Sequence, residues 1–483
     1  MDQRSIRNIF KLLSIIGLSI SIFFLAPIMI GIYYNESYKL FALFDILFFI
    51  LNICIYFFLR THQLNLTLKD GILSVNLIWL LVSIAGAFPL WLYSDITFMQ
   101  GIFESVSGFT TTGATIYTDI ESLPKMILML RSMMHWLGGM GILVLGVGLF
   151  SLINPSGSLA LFKAEASGIR LEKATPRIKD TAIRLWGIYL LLTIADMLLL
   201  WGEGMGVFDA VNHAFSTIST GGFSTKNSSL EAFGNPAILW ITTFFMMLSG
   251  INFLAHLKLF YGDLRGYSSE ETLWYLIIFF TLSCILTFIV YEEDGVSLSY
   301  AVVHAFFTIA SLLTTTGFAS LDYEIWGQAA IAVSFIALLI GGNGGSTAGG
   351  VKVIRYVVIA KVVAVEIKKI LHPNAVVNIF INRTPSSGSL VSATFGFITL
   401  YILTNIVITL YLYGTGHDGL TSISAAIACV GNIGPGFGNV GPTHNYAFFD
   451  DLDAFVLSVG MILGRLEFYT FLLILTPAFW KKF

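Results

Sequence analysis

Apolar runs of about 20 residues, the length needed to cross a bilayer, recur from one end of this chain to the other, beginning with Ile9–Tyr33 and Leu40–Leu59. In lipid every backbone N–H and C=O must be paired inside the protein, so such runs fold as helices. Only 11% of the 483 residues are charged and 56% are hydrophobic, whereas soluble domains carry about 25% charged residues. The expected fold is therefore all-α and integral to the membrane. Arg4, Arg7 and Lys11 precede an apolar run too long for a signal-peptide core and without a clear cleavage site, which predicts a retained helix. A net charge of −3 and the lack of a basic aromatic face point away from nucleic acid. Cys54, Cys284 and Cys429 lie far apart, with no disulfide or metal spacing, and read as buried small apolar residues.

After the first two runs a pattern repeats: long apolar helix, short helix, Gly-containing segment, long apolar helix. The clearest segment is Ser107-Gly-Phe-Thr-Thr-Thr-Gly-Ala-Thr115, and Ser311-Leu-Leu-Thr-Thr-Thr-Gly-Phe-Ala319 repeats its core. Ile218-Ser-Thr-Gly-Gly-Phe-Ser224 and Val430-Gly-Asn-Ile-Gly-Pro-Gly436 are looser echoes. Copy one reads as Gly71–Tyr93, Met99–Phe109 and Pro124–Ile153 around its loop, and copy two as Asp180–Trp201, Val207–Ser219 and Pro236–Gly262. Copy three reads as Glu271–Glu292, Ser299–Leu313 and Trp326 to Ile370, and copy four as Val391–Tyr413, Gly419–Val430 and Ala454–Trp480. The expected segments are a hairpin over 1–69, then units over 70–160, 161–265, 266–385 and 386–483. A period near 100 residues means duplication of a helix–loop–helix unit. In copy two the glycine that matches Gly113 is open between Gly221 and Gly222.

Lys and Arg mark the cytoplasmic side of membrane proteins. With the N-terminus in the cytoplasm, Arg60 and Lys69, the stretch Lys163 to Lys179, Lys258 and Arg265, the cluster from Lys352 to Arg383, and Lys481 and Lys482 all fall inside. Asp95, Asp119, Glu121, Glu292, Glu293, Asp294, Asp450, Asp451 and Asp453 collect on the opposite face. All four Gly-containing loops then enter from outside, under what reads as an acidic vestibule that concentrates cations.

Non-helical backbone at membrane depth is tolerated only where it lines protein or water. Glycine frees the chain to aim its carbonyls, and a ring of carbonyls can replace an ion's hydration shell. The loops contain no Lys or Arg and no acid in the Gly segments, so oxygen-only ligation by carbonyls and Thr hydroxyls is expected, which suits hard cations. Close helix packing by small residues is the plainer alternative. A second signal is Gly341-Gly-Asn-Gly-Gly-Ser-Thr-Ala-Gly-Gly350, where six glycines in ten residues forbid a stable helix. It lacks the Gly-Lys-Ser/Thr of a phosphate loop, and reads either as a mobile plug or as a packing kink. A third is Arg465 with Glu467 in an apolar helix, since a membrane Arg faces the interior. Arg131 and His135 read as polar contacts between helices.

Taken together, these motifs resemble the Trk/Ktr/HKT superfamily of potassium transport proteins, the bacterial TrkH type in particular. The resemblance rests on the four loops, on His135-Trp-Leu-Gly-Gly139, Gly345-Ser-Thr-Ala-Gly-Gly350, Gly434-Pro-Gly436 and Gly464-Arg-Leu-Glu467. It implies a K⁺ pore whose filter glycines are Gly113, Gly222, Gly317 and Gly434. The candidate ion-binding residues are these with Thr111, Thr112, Thr220, Gly221, Thr315, Thr316, Asn432 and Ile433. The candidate gate comprises Gly344, Gly345, Ser346, Thr347, Ala348, Gly349 and Arg465. It further implies a homodimer in membrane lipid, a cytoplasmic nucleotide-binding regulatory subunit of NAD/ATP type, and K⁺ as cargo with no cofactor. The setting it implies is the bacterial inner membrane, with both termini cytoplasmic. Two other classes remain: a secondary transporter coupling K⁺ to H⁺ or Na⁺ by an occluded cycle, and a membrane enzyme, which would need catalytic groups clustered at one depth whereas the histidines are scattered.

Overall fold

The computed structural model describes residues 3–64, 66–148, 178–374, 378–382, 384–385 and 388–481. Lys163, Arg170, Lys173 and Arg177 lie outside the described residues, as does the C-terminal part of the expected Pro124–Ile153 helix.

Helices α1 (Gln3–Tyr33) and α2 (Lys39–Phe58) form an antiparallel pair. α3 (Leu68–Tyr93), α4 (Phe98–Phe109) and α5 (Lys125–Gly148) follow. Next come α6 (Ile178–Gly202), α7 (Val207–Ile218), α8 (Pro236–Ser249) and α9 (Phe253–Phe260). The third group is α10 (Glu270–Asp294), α11 (Leu298–Leu313), α12 (Gly327–Leu338) and α13 (Val353–Leu371). The last is α14 (Gly388–Gly414), α15 (Gly419–Gly431), α16 (Asp451–Arg465), α17 (Tyr469–Leu475) and α18 (Pro477–Trp480). One departure from the all-helical expectation is a two-residue antiparallel pair, β1 (Phe380–Ile381) with β2 (Thr384–Pro385).

Among the described residues six helices are long and apolar enough to cross a membrane, or eight if each sharply bent pair counts as one span. Their outward faces carry large apolar side chains such as Leu47, Phe58, Phe288 and Leu410. Exposed apolar surface on this scale is a liability in water and the normal state against lipid. Cys54 and Cys284 are on that exposed surface, which corrects the reading of all three cysteines as buried; only Cys429 is.

Each short helix packs on the long helix before it: α4 on α3, α7 on α6, α11 on α10 and α15 on α14. Each also packs on a helix of the preceding group: α7 on α5, α11 on α8, α15 on α12, and α4 on α16. The last contact closes the series on itself.

The long helices expected at Pro236–Gly262 and Ala454–Trp480 are not continuous. α8 and α9 meet at 95°, and α16 and α17 at 116°. At the first break Gly250 sits where a Cβ would lie 2.3 Å from the Tyr275 hydroxyl, and Asn252 caps α9 by accepting from Leu254 N. The Phe253 N–H freed by the break donates to Gly345 O at 3.0 Å. At the second, Glu467 and Phe468 both have φ near +60°. Glu467 is held there by an ion pair with Arg355 of α13 at 2.9 Å. The sequence places Glu467 on a different face from Arg465, and its partner is a different arginine.

Candidate functional site

The four short helices end in the same way. Thr112 N–H donates to Ser107 O, Gly221 to Ser216, Thr316 to Ser311 and Ile433 to Ala428, all at 2.8–2.9 Å. One residue earlier, Thr111 N–H donates to Gly108 O, Thr220 to Thr217, Thr315 to Leu312 and Asn432 to Cys429. This nested pair is a Schellman cap, which requires one left-handed residue. That residue is Thr111 (φ 54°), Thr220 (56°), Thr315 (56°) and Asn432 (55°). For a β-branched residue the left-handed region is a genuine outlier, costing about 1–2 kcal/mol per residue. Three threonines pay it at equivalent positions. Strain over-determined by its surroundings clusters at functional sites.

Two residues further on, Gly113 (φ 83°), Gly222 (84°), Gly317 (83°) and Gly434 (93°) share a second left-handed position. Gly222, not Gly221, therefore matches Gly113. A Cβ on Gly113 would lie 2.2 Å from Gly221 O, one on Gly222 2.0 Å from Thr316 O, one on Gly317 2.1 Å from Ile433 O, and one on Gly434 2.6 Å from Thr112 O. The first loop thus touches the second, the second the third, the third the fourth and the fourth the first. Backbone meets backbone at every joint, so only glycine fits.

Thr110, Thr111, Thr112, Thr220, Thr314, Thr315, Thr316 and Asn432 are buried, though none is apolar. The Thr112 hydroxyl bonds that of Thr110, and Thr316 that of Thr314, at 2.7 Å each. Asn432 Nδ2 donates to Thr112 Oγ1 at 3.0 Å, linking the fourth loop to the first.

Straps outside the ring involve residues that the loop motifs do not mark, and Arg131 makes the contact between helices that its sequence position predicts. Glu104, fully buried in α4, accepts from Arg131 Nε at 2.8 Å, from Ile116 N–H at 3.0 Å and from the Thr115 hydroxyl at 3.0 Å. Arg131 also donates to Ser224 O of the second loop. The signal was a lone acid inside a short apolar helix, which must find a cation. Tyr446 donates to Gly434 O at 2.7 Å. The cavity bounded by Gly113, Gly222, Gly317 and Gly434 is lined also by Arg131, Lys226 and His444, with no Asp or Glu among the described lining residues. This corrects the acidic vestibule at its innermost layer. Asp119 and Glu121 stand one layer back, accepting from Asn227 Nδ2 and Lys226 Nζ. Those bonds hold both carboxyls below their ordinary pKa.

Residues 339–352 are non-helical between α12 and α13. Asn343 N–H donates to Gly250 O and Gly344 N–H to Glu271 Oε1, both at 2.8 Å. The Ser346 hydroxyl donates to Asn343 O at 2.6 Å. The Thr347 hydroxyl reaches Ile218 O and Ser249 O, and Gly349 N–H donates to Thr315 Oγ1 at 2.6 Å. A Cβ on Gly349 would lie 2.4 Å from Gly431 O. Lys352 donates to Ala348 O. Arg465, buried, donates to Thr347 O at 2.9 Å and to Gly138 O at 3.4 Å. The segment therefore lies against the ends of α7, α11 and α15, directly behind three of the four loops.

Strained, glycine-jointed loops closed in a ring within a lipid-facing helical bundle define an integral membrane transport protein. The chain belongs to the TrkH family of cation transport proteins, which matches residues 37–265 and 269–482. It is 36% identical over 430 residues to the Trk system potassium uptake protein TrkH of Escherichia coli K12, covering 88% of each chain. It is 35% identical over 494 residues to the protein of the same name from Vibrio parahaemolyticus, covering 99% of each. The crystal structure of the potassium transporter TrkH from Vibrio parahaemolyticus superposes with a TM-score of 0.89 at 34% identity, over 99% of this chain and 100% of that one. The family is one of transporters rather than enzymes.

Proposed function

We propose that this protein takes up K⁺ across the bacterial inner membrane through a channel-like pore on the axis of the four-loop ring, passing K⁺ and Rb⁺ in preference to Na⁺ and Li⁺. The units over 70–160, 161–265, 266–385 and 386–483 surround that pore, with the hairpin over 1–69 at its side. The observation that carries the reading is the ring itself: four Schellman-capped helix ends with the same two left-handed residues, each jointed to the next by a glycine. The negative ends of four short helices converge there, each equivalent to roughly half an elementary charge. Carbonyls of Thr112, Gly113, Thr220, Gly221, Thr316, Gly317, Ile433 and Gly434 are the proposed K⁺ ligands, with Thr111, Gly222, Thr315 and Asn432 setting the turns.

The loop from Gly344 to Gly349, pinned by Arg465, is the proposed gate. Its hydrogen bonds to Thr315 and to the Ile218 carbonyl support a place directly behind the ring. The name Trk system, carried by the relatives, supports further components. We assign a homodimer and a cytoplasmic nucleotide-binding regulatory subunit to that role, with both termini of this chain on the cytoplasmic side. Flux into proteoliposomes with one cation at a time tests the reading. K⁺ and Rb⁺ are expected to enter much faster than Na⁺ and Li⁺ down their gradients alone. Uptake that requires a H⁺ or Na⁺ gradient would instead support coupled transport.

A further inference from the structure

The four loops are alike in backbone and unlike in what backs them. Just before the ring glycine stand Thr112, Gly221, Thr316 and Ile433. Two residues before those stand Thr110, Ser219, Thr314 and Gly431. In loops one and three the two threonines hydrogen-bond each other at 2.7 Å, fixing the peptide behind the joint. In loop four the Ile433 side chain covers Gly431, where a Cβ would come within 2.9 Å of Ile433 Cδ1. Loop two has no side chain at the corresponding place.

His135 of α5 occupies it. A Cβ on Gly221 would lie 2.2 Å from His135 Nδ1 and 2.4 Å from Cγ. The imidazole is fully buried and stacks on Phe223 at 4.0 Å between centroids, and the Arg131 guanidinium stands 4.1 Å from the centroid of the same Phe223 ring. Phe223 N–H points at Nδ1 (3.4 Å) and the Ser216 hydroxyl lies 3.3 Å from it. Nδ1 is then the acceptor, and a second proton there would face the Phe223 donor. Gly221 O is the carbonyl against which Gly113 packs. Whatever fixes Gly221 therefore fixes the joint between loops one and two.

We infer that His135 is a positioning residue for cation discrimination: a side chain from the neighbouring unit that replaces the one missing at Gly221 and holds the second-loop carbonyls on the ring. The inference rests on the pore reading above and deepens it. A plain packing histidine would affect yield or stability; a positioning residue moves the Na⁺/K⁺ ratio.

The test measures the Na⁺/K⁺ flux ratio per incorporated dimer in proteoliposomes. His135→Ala should raise that ratio about fivefold. Gly221→Thr in the natural background collides with the imidazole and should do at least as much harm. In the His135→Ala background the same substitution has room, and with Ser219 behind it rebuilds the hydroxyl pair of loops one and three. The double variant should return to within about twofold of the natural ratio. Opposite signs for one substitution in two backgrounds identify shared space and shared work. If His135→Ala does not yield folded protein, His135→Asn, whose Oδ1 stands where Nδ1 does and keeps an acceptor for Phe223 N–H, is measured and should hold the ratio, while Gly221→Ala should raise it. A selective natural protein whose His135→Ala variant is equally selective would overturn the inference alone. A natural protein that passes Na⁺ and K⁺ equally would overturn the pore reading on which it stands.

Discussion

Two glycine-rich regions among the described residues, the four-loop ring and the Gly341–Gly350 stretch, lack helical structure and are secured by different means. In the four-loop ring every joint is a glycine against a neighbouring carbonyl, with a Cβ-to-oxygen separation of 2.0–2.6 Å if a side chain were added. Nothing there can swing aside. The stretch from Gly341 to Gly350 shares some of this, with Asn343 N–H on Gly250 O and Gly349 against Gly431 O, but is held as well by bonds that involve side chains: Glu271, the Thr315 hydroxyl, the Thr347 hydroxyl on the Ile218 and Ser249 carbonyls, and Arg465. Each bond there can break singly. The ring is jointed at each glycine by backbone alone, whereas the second stretch adds to its backbone contacts a set of side-chain bonds that can be removed one at a time.

The contrast is broken most directly at Gly113. Gly113→Ala forces a side chain into φ 83° and toward Gly221 O. The left-handed conformation alone costs about 1–2 kcal/mol, so K⁺ flux or the K⁺/Na⁺ ratio should fall at least about tenfold. Unchanged flux and cation order in folded protein would mean that the ring is not interlocked. The second test concerns the other stretch. Arg465→Ala removes a charged donor to Thr347 O worth about 1.5–3 kcal/mol, and should raise flux about tenfold without any partner subunit. Cation order should be kept, because no ring glycine bonds Arg465. A fall in flux with intact protein would make Arg465 an anchor instead.

The smallest effect is expected at the exposed clasp between the first two loops. Glu121 and Asp119 have carboxyl pKa values lowered by their bonds to Lys226 and Asn227. A depressed folded pKa contributes stability above the unfolded value and loses it as pH falls through the folded one. Both groups are solvent-screened, so the contribution is slight. Relative to Glu121→Gln, the natural protein in detergent should melt at most about 1–2 °C higher at pH 7. The gap should close below the ordinary carboxylate value of 4.5 for Glu121. A gap that widens in acid would show that the clasp works through something other than charge.

How much of this could be read from residues alone depended on whether the signal was local. The ring positions were visible because Thr-Thr-Thr-Gly occurs twice and the cap needs a fixed spacing. Gly221 and Gly222 could not be told apart, since both are glycines and only φ separates them. The break at Gly250 had a local mark, a glycine two residues before the capping Asn252. The break at Glu467 had none: neither Glu467 nor Phe468 favours a positive φ, and the Arg355 that pairs with Glu467 is more than 100 residues away in sequence. Glu104 and Arg131 were visible separately, but their pairing needed α4 laid beside α5.

The closed ring is written once along a single chain. In an assembly of four identical subunits one codon would set all four walls, and any change would be multiplied by four. Here each wall has its own codon, so a change costs a quarter of the perimeter and its neighbours can compensate. The series Thr112, Gly221, Thr316 and Ile433 records that freedom: one backbone kept four times, with three different solutions to supporting it. Such a ring can be tuned gradually, wall by wall.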